Sequence, residues 1–305
     1  MRLSVALLWA FVPAVALAQT QQIDDAIKAK LATAKWVYGL EDPAGGFHVA
    51  PADPKSDAVR KPSLRATSAA VRALKYSGAE VPNADKHAAF VLKCYDPATG
   101  GFAEPGGKPD VTLTSVGVMA AAELGIPHDK YPKAMEFLKA NAKTFEDVRI
   151  GAAAVEAWGV KDCPFDLADW QALAAKDVNP KLPAPNNGGA RFVGSYTAFM
   201  LRLGLQKGND SKPAALAAVL DRGQLPDGGW NKEGEKASDV ETTYRVMRAY
   251  MLLNETPKDA AAVRKFLAAH RNADGGYGTV PGGPSNVGGT YYAVTISKWL
   301  DAMGK

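Results

Sequence analysis

Two carboxylates, Asp239 and Glu241, open the segment DVETTYRVMRAYMLL, and Arg245 follows Glu241 four residues later. In a helix Glu241 and Arg245 share one face, a single turn apart. A carboxylate there could do acid–base work. The guanidinium could hold an anionic group where free backbone N–H groups and the helix dipole also favour negative charge. Tyr244 next to the pair, with Tyr196, Tyr291 and Tyr292 from other segments, would supply aromatic walls, and Arg191 a second cation. Each group also has a plain structural use. Asp239 can cap a helix, Glu241 and Arg245 can neutralise one another, and tyrosines at helical spacing can fill a core. Arginine is more telling. Arg65, Arg149, Arg245 and Arg248 all stand in otherwise apolar runs, and an unpaired buried guanidinium is costly, so each must face a rim, a carboxylate or a wet cavity.

Other chemistry is thin. The histidines His48, His87, His128 and His270 show no pair at i, i+4 that would present two metal ligands on one face, and they read as solvated side chains in loops or on outer helices. There is no G-x-S-x-G, no phosphate-binding P-loop and no Cys-x-x-Cys. No cofactor and no metal are expected.

The elements that must position these residues repeat. Segments beginning at Asp110, Asp147, Asp239 and Asn286 all open with Asp or Asn followed by Val and continue as proline-free runs of mostly small and apolar residues; divergent copies begin at Ser63 and Val193. An oxygen-bearing side chain in front of such a run is an N-cap, and a run apolar on nearly all sides is a helix enclosed by protein. Between them lie ADKHAAFVLKCY, YPKAMEFLKANA, FDLADWQALAAK, KPAALAAVLDRG and PKDAAAVRKFLAAH, with QQIDDAIKAKLATAKWV in front. Their one-sided polarity marks helices wet on one face. Six inner and six outer helices in alternation predict an all-α protein, an α/α toroid. Closure into a ring is expected because no terminal repeat carries a polar cap.

The hairpins are joined by a recurring phrase: PAGGFHVA, ATGGFAEP, QLPDGGWN and ADGGYGTV. The glycine pair sits where the chain reverses, and the aromatics Phe47, Phe102, Trp230 and Tyr277 would plug the seams between repeats. Gln224, Gly228 and Trp230 stand as Q-x-x-x-G-x-W. With the six-fold helical period, this resembles the prenyltransferase and squalene-cyclase repeat family over essentially the whole mature chain. The resemblance implies a terpenoid-handling toroid, and its catalytic positions can be compared one by one. Where protein prenyltransferase β subunits carry the zinc ligands of D-x-C-Y, this chain reads Val193-Gly194-Ser195-Tyr196, and Glu241 stands in place of the zinc-binding histidine. Arg191 is the one nearby basic candidate for a diphosphate. The D-x-D-D acid of triterpene cyclases is absent, and the closest match is Asp239-Val240-Glu241-Thr242-Thr243.

The chain has 305 residues, 47% hydrophobic and 22% charged, with a net charge of +4 that forms no basic stripe. Nucleic acid is therefore not the expected partner. Residues 1–18 combine one basic residue, an apolar run from Leu3 to Leu17 and Ala16-Leu17-Ala18 before Gln19. This pattern predicts a signal peptide and a mature domain, residues 19–305, outside the cell or in a periplasm. No second run is apolar enough to span a bilayer. Cys94 and Cys163 could pair in such a compartment or remain free thiols. Three functions fit: a toroid binding an isoprenoid or other hydrophobic small molecule, a non-catalytic scaffold for a second protein chain, and a secreted glycan-active lyase or hydrolase.

Overall fold

The computed structural model describes residues 11–55, 59–177, 188–204 and 213–303. Among the described residues, twelve α-helices alternate between two shells. The inner shell is α2 (Leu64–Ser77), α4 (Val111–Glu123), α6 (Phe145–Trp158), α8 (Gly189–Arg202), α10 (Val240–Leu253) and α12 (Val287–Met303). The outer shell is α1 (Phe11–Tyr38), α3 (Ala84–Lys93), α5 (Ala134–Asn141), α7 (Ala168–Asp177), α9 (Pro213–Asp221) and α11 (Ala260–His270). Each inner helix packs on the next and α12 packs on α2, so the ring is closed. The first ten residues of the predicted signal peptide lie outside the described residues. From Phe11 the chain is already in α1. No helix among the described residues is long and apolar enough to cross a membrane.

The helix starts follow the caps. Ser63 accepts a hydrogen bond from the Ala66 N–H, Asp110 from Leu113, Asp239 from Thr242 and Asn286 from Gly289, at 2.6–3.0 Å. Two predicted starts are corrected. Helix α6 begins at Phe145, capped by Thr144, and Asp147 is its third residue, accepting hydrogen bonds from the Lys143 and Thr144 N–H groups at 3.0 Å. This reciprocal capping box satisfies more free donors than Asp147 could as a single cap. Helix α8 begins at Gly189, four residues before Val193, after Gly188 has turned the chain in the left-handed region.

The glycine–aromatic loops are joints of one design. The aromatic backbone N–H donates to a threonine of the following inner helix: Phe47 to Thr67, Phe102 to Thr114, Trp230 to Thr243 and Tyr277 to Thr290, at 3.0–3.1 Å. Phe47, Phe102 and Trp230 are completely buried, and the Trp230 Nε1–H reaches the Leu220 carbonyl at 2.8 Å. The first glycine of each loop lies against a backbone carbonyl of the next outer helix, at the helix start for Gly45 on Lys86, Gly100 on Lys133 and Gly228 on Ala262, and further along α1 for Gly275 on Ala32. Any side chain would overlap that carbonyl, and all four glycines hold positive φ. The last of these contacts closes the ring. It is reinforced by Thr33 Oγ1 on the Gly275 carbonyl at 2.8 Å and Trp36 Nε1 on Asp274 at 3.1 Å.

Three of the four histidines are buried, contrary to the expectation of solvated side chains. For His87 the reason is the joint itself, its Nδ1 accepting the Gly46 N–H at 3.0 Å, whereas the His270 ring turns back on its own helix, with Nδ1 2.8 Å from the Phe266 carbonyl. His128 alone is exposed, stacked on Trp158. Cys94 and Cys163 are free thiols.

Candidate functional site

The ring encloses a cavity of about 250 Å³. First-turn residues Arg65, Thr112, Glu146 and Glu241 line it, whereas last-turn residues Tyr76, Glu123 and Ala157 line a second chamber of about 390 Å³. The inner helices therefore run in one direction, with their N-termini around one mouth. Arg72, Arg202 and Arg248, with Met119 and Ala153, belong to both linings and form a belt between them.

At the N-terminal mouth, charges are paired. Arg245 binds Glu241 through Nη2 at 2.6 Å and through Nε at 3.0 Å, and it also reaches across to both carboxylate oxygens of Glu146 at 3.1–3.2 Å. Arg149 donates to the same Glu146 at 3.0 Å. Burial would raise the Glu146 carboxyl, but Arg149 and Arg245 outweigh it and hold it below the usual carboxylate value. The expected i, i+4 pair is thus half of a four-residue chain bridging α6 and α10.

Deeper in, charge balance changes. Arg248 Nη2 donates to the Tyr244 hydroxyl at 2.6 Å, Arg72 Nη1 donates to the Tyr291 hydroxyl at 2.8 Å, and the two hydroxyls share a hydrogen bond of 2.7 Å. The Arg72 guanidinium lies over the Tyr291 ring at 4.2 Å, and that of Arg248 over Trp299 at 4.6 Å. Arg202 meets Glu156 at 3.0 Å. Tyr291 is buried, Arg72, Arg202, Tyr244 and Arg248 are partly buried, and Glu156 is exposed. Burial, then the neighbouring Arg248, pull the Arg202 guanidinium down to about 10. For Tyr244, burial alone would raise the phenol, yet Arg248, Arg72 and Arg202 together overcome it and draw it below the ordinary range. Burial holds Tyr291 well above that range, and Tyr244 adds to the rise. Two buried polar atoms at the cavity, Arg248 Nε and Ser195 Oγ, have no hydrogen-bond partner.

Of the residues singled out from the sequence, Glu241, Arg245, Tyr244, Tyr291 and Tyr292 line the cavity together. Asp239 does not; its side chain caps α10. Tyr196 is placed in an aromatic cluster with Phe145, Phe192 and Phe199 between α6 and α8. Arg191 lies beside the mouth, within the field of Arg245 and Glu146, outside the cavity lining. Sequence reasoning missed Arg72, Arg202 and Glu146. The first two carry the signal already used for Arg248, a charge within an apolar inner run. Glu146 was lost because α6 was started one residue too late to include it.

The residues present do not fit the zinc of the prenyltransferases. At the matching positions Val193 offers no donor, Ser195 is buried, and the Glu241 carboxylate is held by Arg245. No group of three His, Cys, Asp or Glu side chains converges among the described residues.

Comparison with known proteins agrees with this architecture. The sequence model of the prenyltransferase alpha-alpha toroid domain matches residues 3–159 and 182–305. No curated protein matches the sequence. Among solved structures, a protein from Actinoplanes superposes with a TM-score of 0.58 at 13% identity, over 92% of this chain and 99% of that one. A substrate-bound variant of the type II terpene cyclase MstE from Scytonema, in complex with geranylgeranyl dihydroxybenzoate, gives 0.59 at 10% identity, over 94% and 99%. Unliganded MstE gives 0.57 at 11% identity, over 93% and 98%. The ring of paired helices, the glycine–aromatic joints and the sequence match together show that the chain belongs to the prenyltransferase alpha-alpha toroid domain family, on a fold similar to that of type II terpene cyclases.

Proposed function

We propose that the protein binds a small amphiphilic acid in the central cavity, the anionic head against Arg72, Arg202 and Arg248 and the apolar body along Tyr292, Ile150 and Val116. The observation that carries this reading is the belt itself. Three guanidinium groups converge on the cavity, and among the described residues only Arg202 has a carboxylate, Glu156, in direct contact. Withdrawing cations from water without a matching counter-charge is costly, so a belt of this kind is a site prepared for negative charge. The substrate named for the MstE structures, geranylgeranyl dihydroxybenzoate, also joins an acid head to an isoprenoid body. From the pattern of residues 1–18 we further place the mature protein outside the cytoplasm.

A second reading is supported by the hydrogen-bonded Tyr244 beside the arginines: an acidic sugar would use the same cations, as in a glycan-active enzyme. Calorimetric titration with farnesyl diphosphate, farnesol and glucuronate separates the two. The amphiphile reading expects farnesyl diphosphate to bind and farnesol and glucuronate to bind at least tenfold more weakly. Comparable or tighter binding of glucuronate favours the sugar reading, and binding of neither acid overturns the anion site.

A further inference from the structure

The belt has more positive charge than its neighbours neutralise. Facing Tyr244 are Arg248 on its own helix, Arg72 on α2, Arg202 on α8, and Tyr291 and Tyr292 on α12; Tyr76 on α2 packs on Tyr291, and Glu156 on α6 stands against Arg202. Glu123 on α4, the other carboxylate of the second chamber, is already held by Lys75 at 2.8 Å and accepts the Tyr76 hydroxyl at 3.0 Å. One turn towards the mouth, Glu241 is neutralised by Arg245. Among the described residues the three cations thus have one carboxylate in direct contact, Glu156, and that carboxylate is itself partly exposed to solvent. Charge of one sign at such density is not stable unless something nearby becomes negative.

The group placed to do so is a phenol. The Tyr244 oxygen receives a hydrogen bond from Arg248, which donates without accepting, and Tyr291, itself bound by Arg72, can donate its proton to that same oxygen. Both contacts favour a negative oxygen on Tyr244, and Tyr291 is the proton-bearing partner.

We propose that Tyr244 is the resident counter-anion of the arginine belt, ionised when no acid is bound and reprotonated when an anionic ligand enters. The ligand then takes over the charge that the phenolate carried. The proton comes from solvent and goes to the Tyr244 oxygen, and no bond to carbon forms or breaks. This rests on the anion-binding reading above and deepens it. Binding and proton uptake become one event, so the site prefers its acid at lower pH.

The test uses sulfate, which does not itself titrate near neutrality. Full-chain protein is titrated calorimetrically in two buffers of different ionisation enthalpy, with tyrosinate absorbance followed in parallel. We expect uptake of on the order of one proton per sulfate, loss of tyrosinate absorbance on binding, and affinity falling by about tenfold per pH unit while the phenolate is present. Tyr244→Phe should bind sulfate without proton uptake. Tyr291→Phe, which keeps the Tyr244–Arg248 contact but removes the second hydrogen bond, should still take up a proton on binding sulfate, with the uptake shifted to higher pH, and far-UV circular dichroism of both variants checks that each is folded. Sulfate binding with no proton exchange and no absorbance change overturns the role of Tyr244 while leaving the anion site standing. Failure of the wild type to bind sulfate at all overturns both.

Discussion

Tyr244 and Tyr291 share a 2.7 Å hydrogen bond at the wall of the central cavity, and their environments drive their acidities apart, making Tyr244 the stronger acid and Tyr291 the weaker. An alkaline titration should therefore resolve one phenol that ionises below the usual value of about 10. Tyr244→Phe should delete that first phase and leave the later ones in place, as read by tyrosinate absorbance.

Stability should follow the same logic with opposite signs. A phenol with a lowered folded value releases its proton in the native state first, so the stability it contributes grows as pH rises towards about 10 and is lost as pH falls through the folded value. Tyr76, Tyr131 and Tyr292 are pushed up to about 12, burial being the main cause. Between about pH 10 and 12 the unfolded chain binds fewer protons than the native one at these three positions, and stability should fall. Urea unfolding at a series of alkaline pH values checks the turnover.

The joints make a sharp test of the fold. Gly228 and Gly234 both hold positive φ, but a side chain at Gly228 would overlap the Ala262 carbonyl whereas one at Gly234 meets open space. Gly234→Ala should cost about 1–2 kcal/mol of backbone strain. Gly228→Ala should cost a further 1–3 kcal/mol or so, from the forced shift of α11. Denaturant midpoints of the two variants measure the difference.

Thr243 accepts the Trp230 N–H inside the same joint. Thr243→Val keeps the shape and removes the acceptor, leaving a buried donor unpaired, so a loss of roughly 1–3 kcal/mol is expected by the same measurement. An unchanged midpoint would mean that the joint is held by packing alone.

At the mouth, Glu146→Gln frees Arg149 and Arg245 from their shared carboxylate. Because Glu146 is half exposed, solvent screening limits the loss of stability to about 1 kcal/mol or less. The two released cations should speed sulfate association, most clearly at low ionic strength. Stopped-flow rates with and without added salt test this.

Most of the ring was legible because its signals are local. Asp110, Asp239 and Asn286 declare their helices through one side chain and one N–H, and the glycine–aromatic phrase repeats within eight residues. Helix α6 was mis-started because its true cap, Thr144, works with Asp147 rather than alone, and a reciprocal cap looks like two weaker candidates. The cavity was half legible. Glu241 and Arg245 announce themselves by an i, i+4 spacing, but their link to Glu146 spans 99 residues. That link exists only once α6 and α10 face each other across the ring. His87 and His270 read as wet because outer helices carry water on one face; the sequence does not say which face a given histidine takes.

The closing joint has a consequence for how the chain is made. Trp36 and Asp274 are 238 residues apart, whereas Gly45 and the Lys86 carbonyl it abuts belong to adjacent hairpins. Hairpins can dock on their predecessor in chain order, but the buried flank of α1, with Thr33, Trp36 and Val37, must wait for the last loop to arrive. Until then the nascent arc displays an adhesive edge at its oldest end, and the step most exposed to misassembly or chaperone capture is the final one.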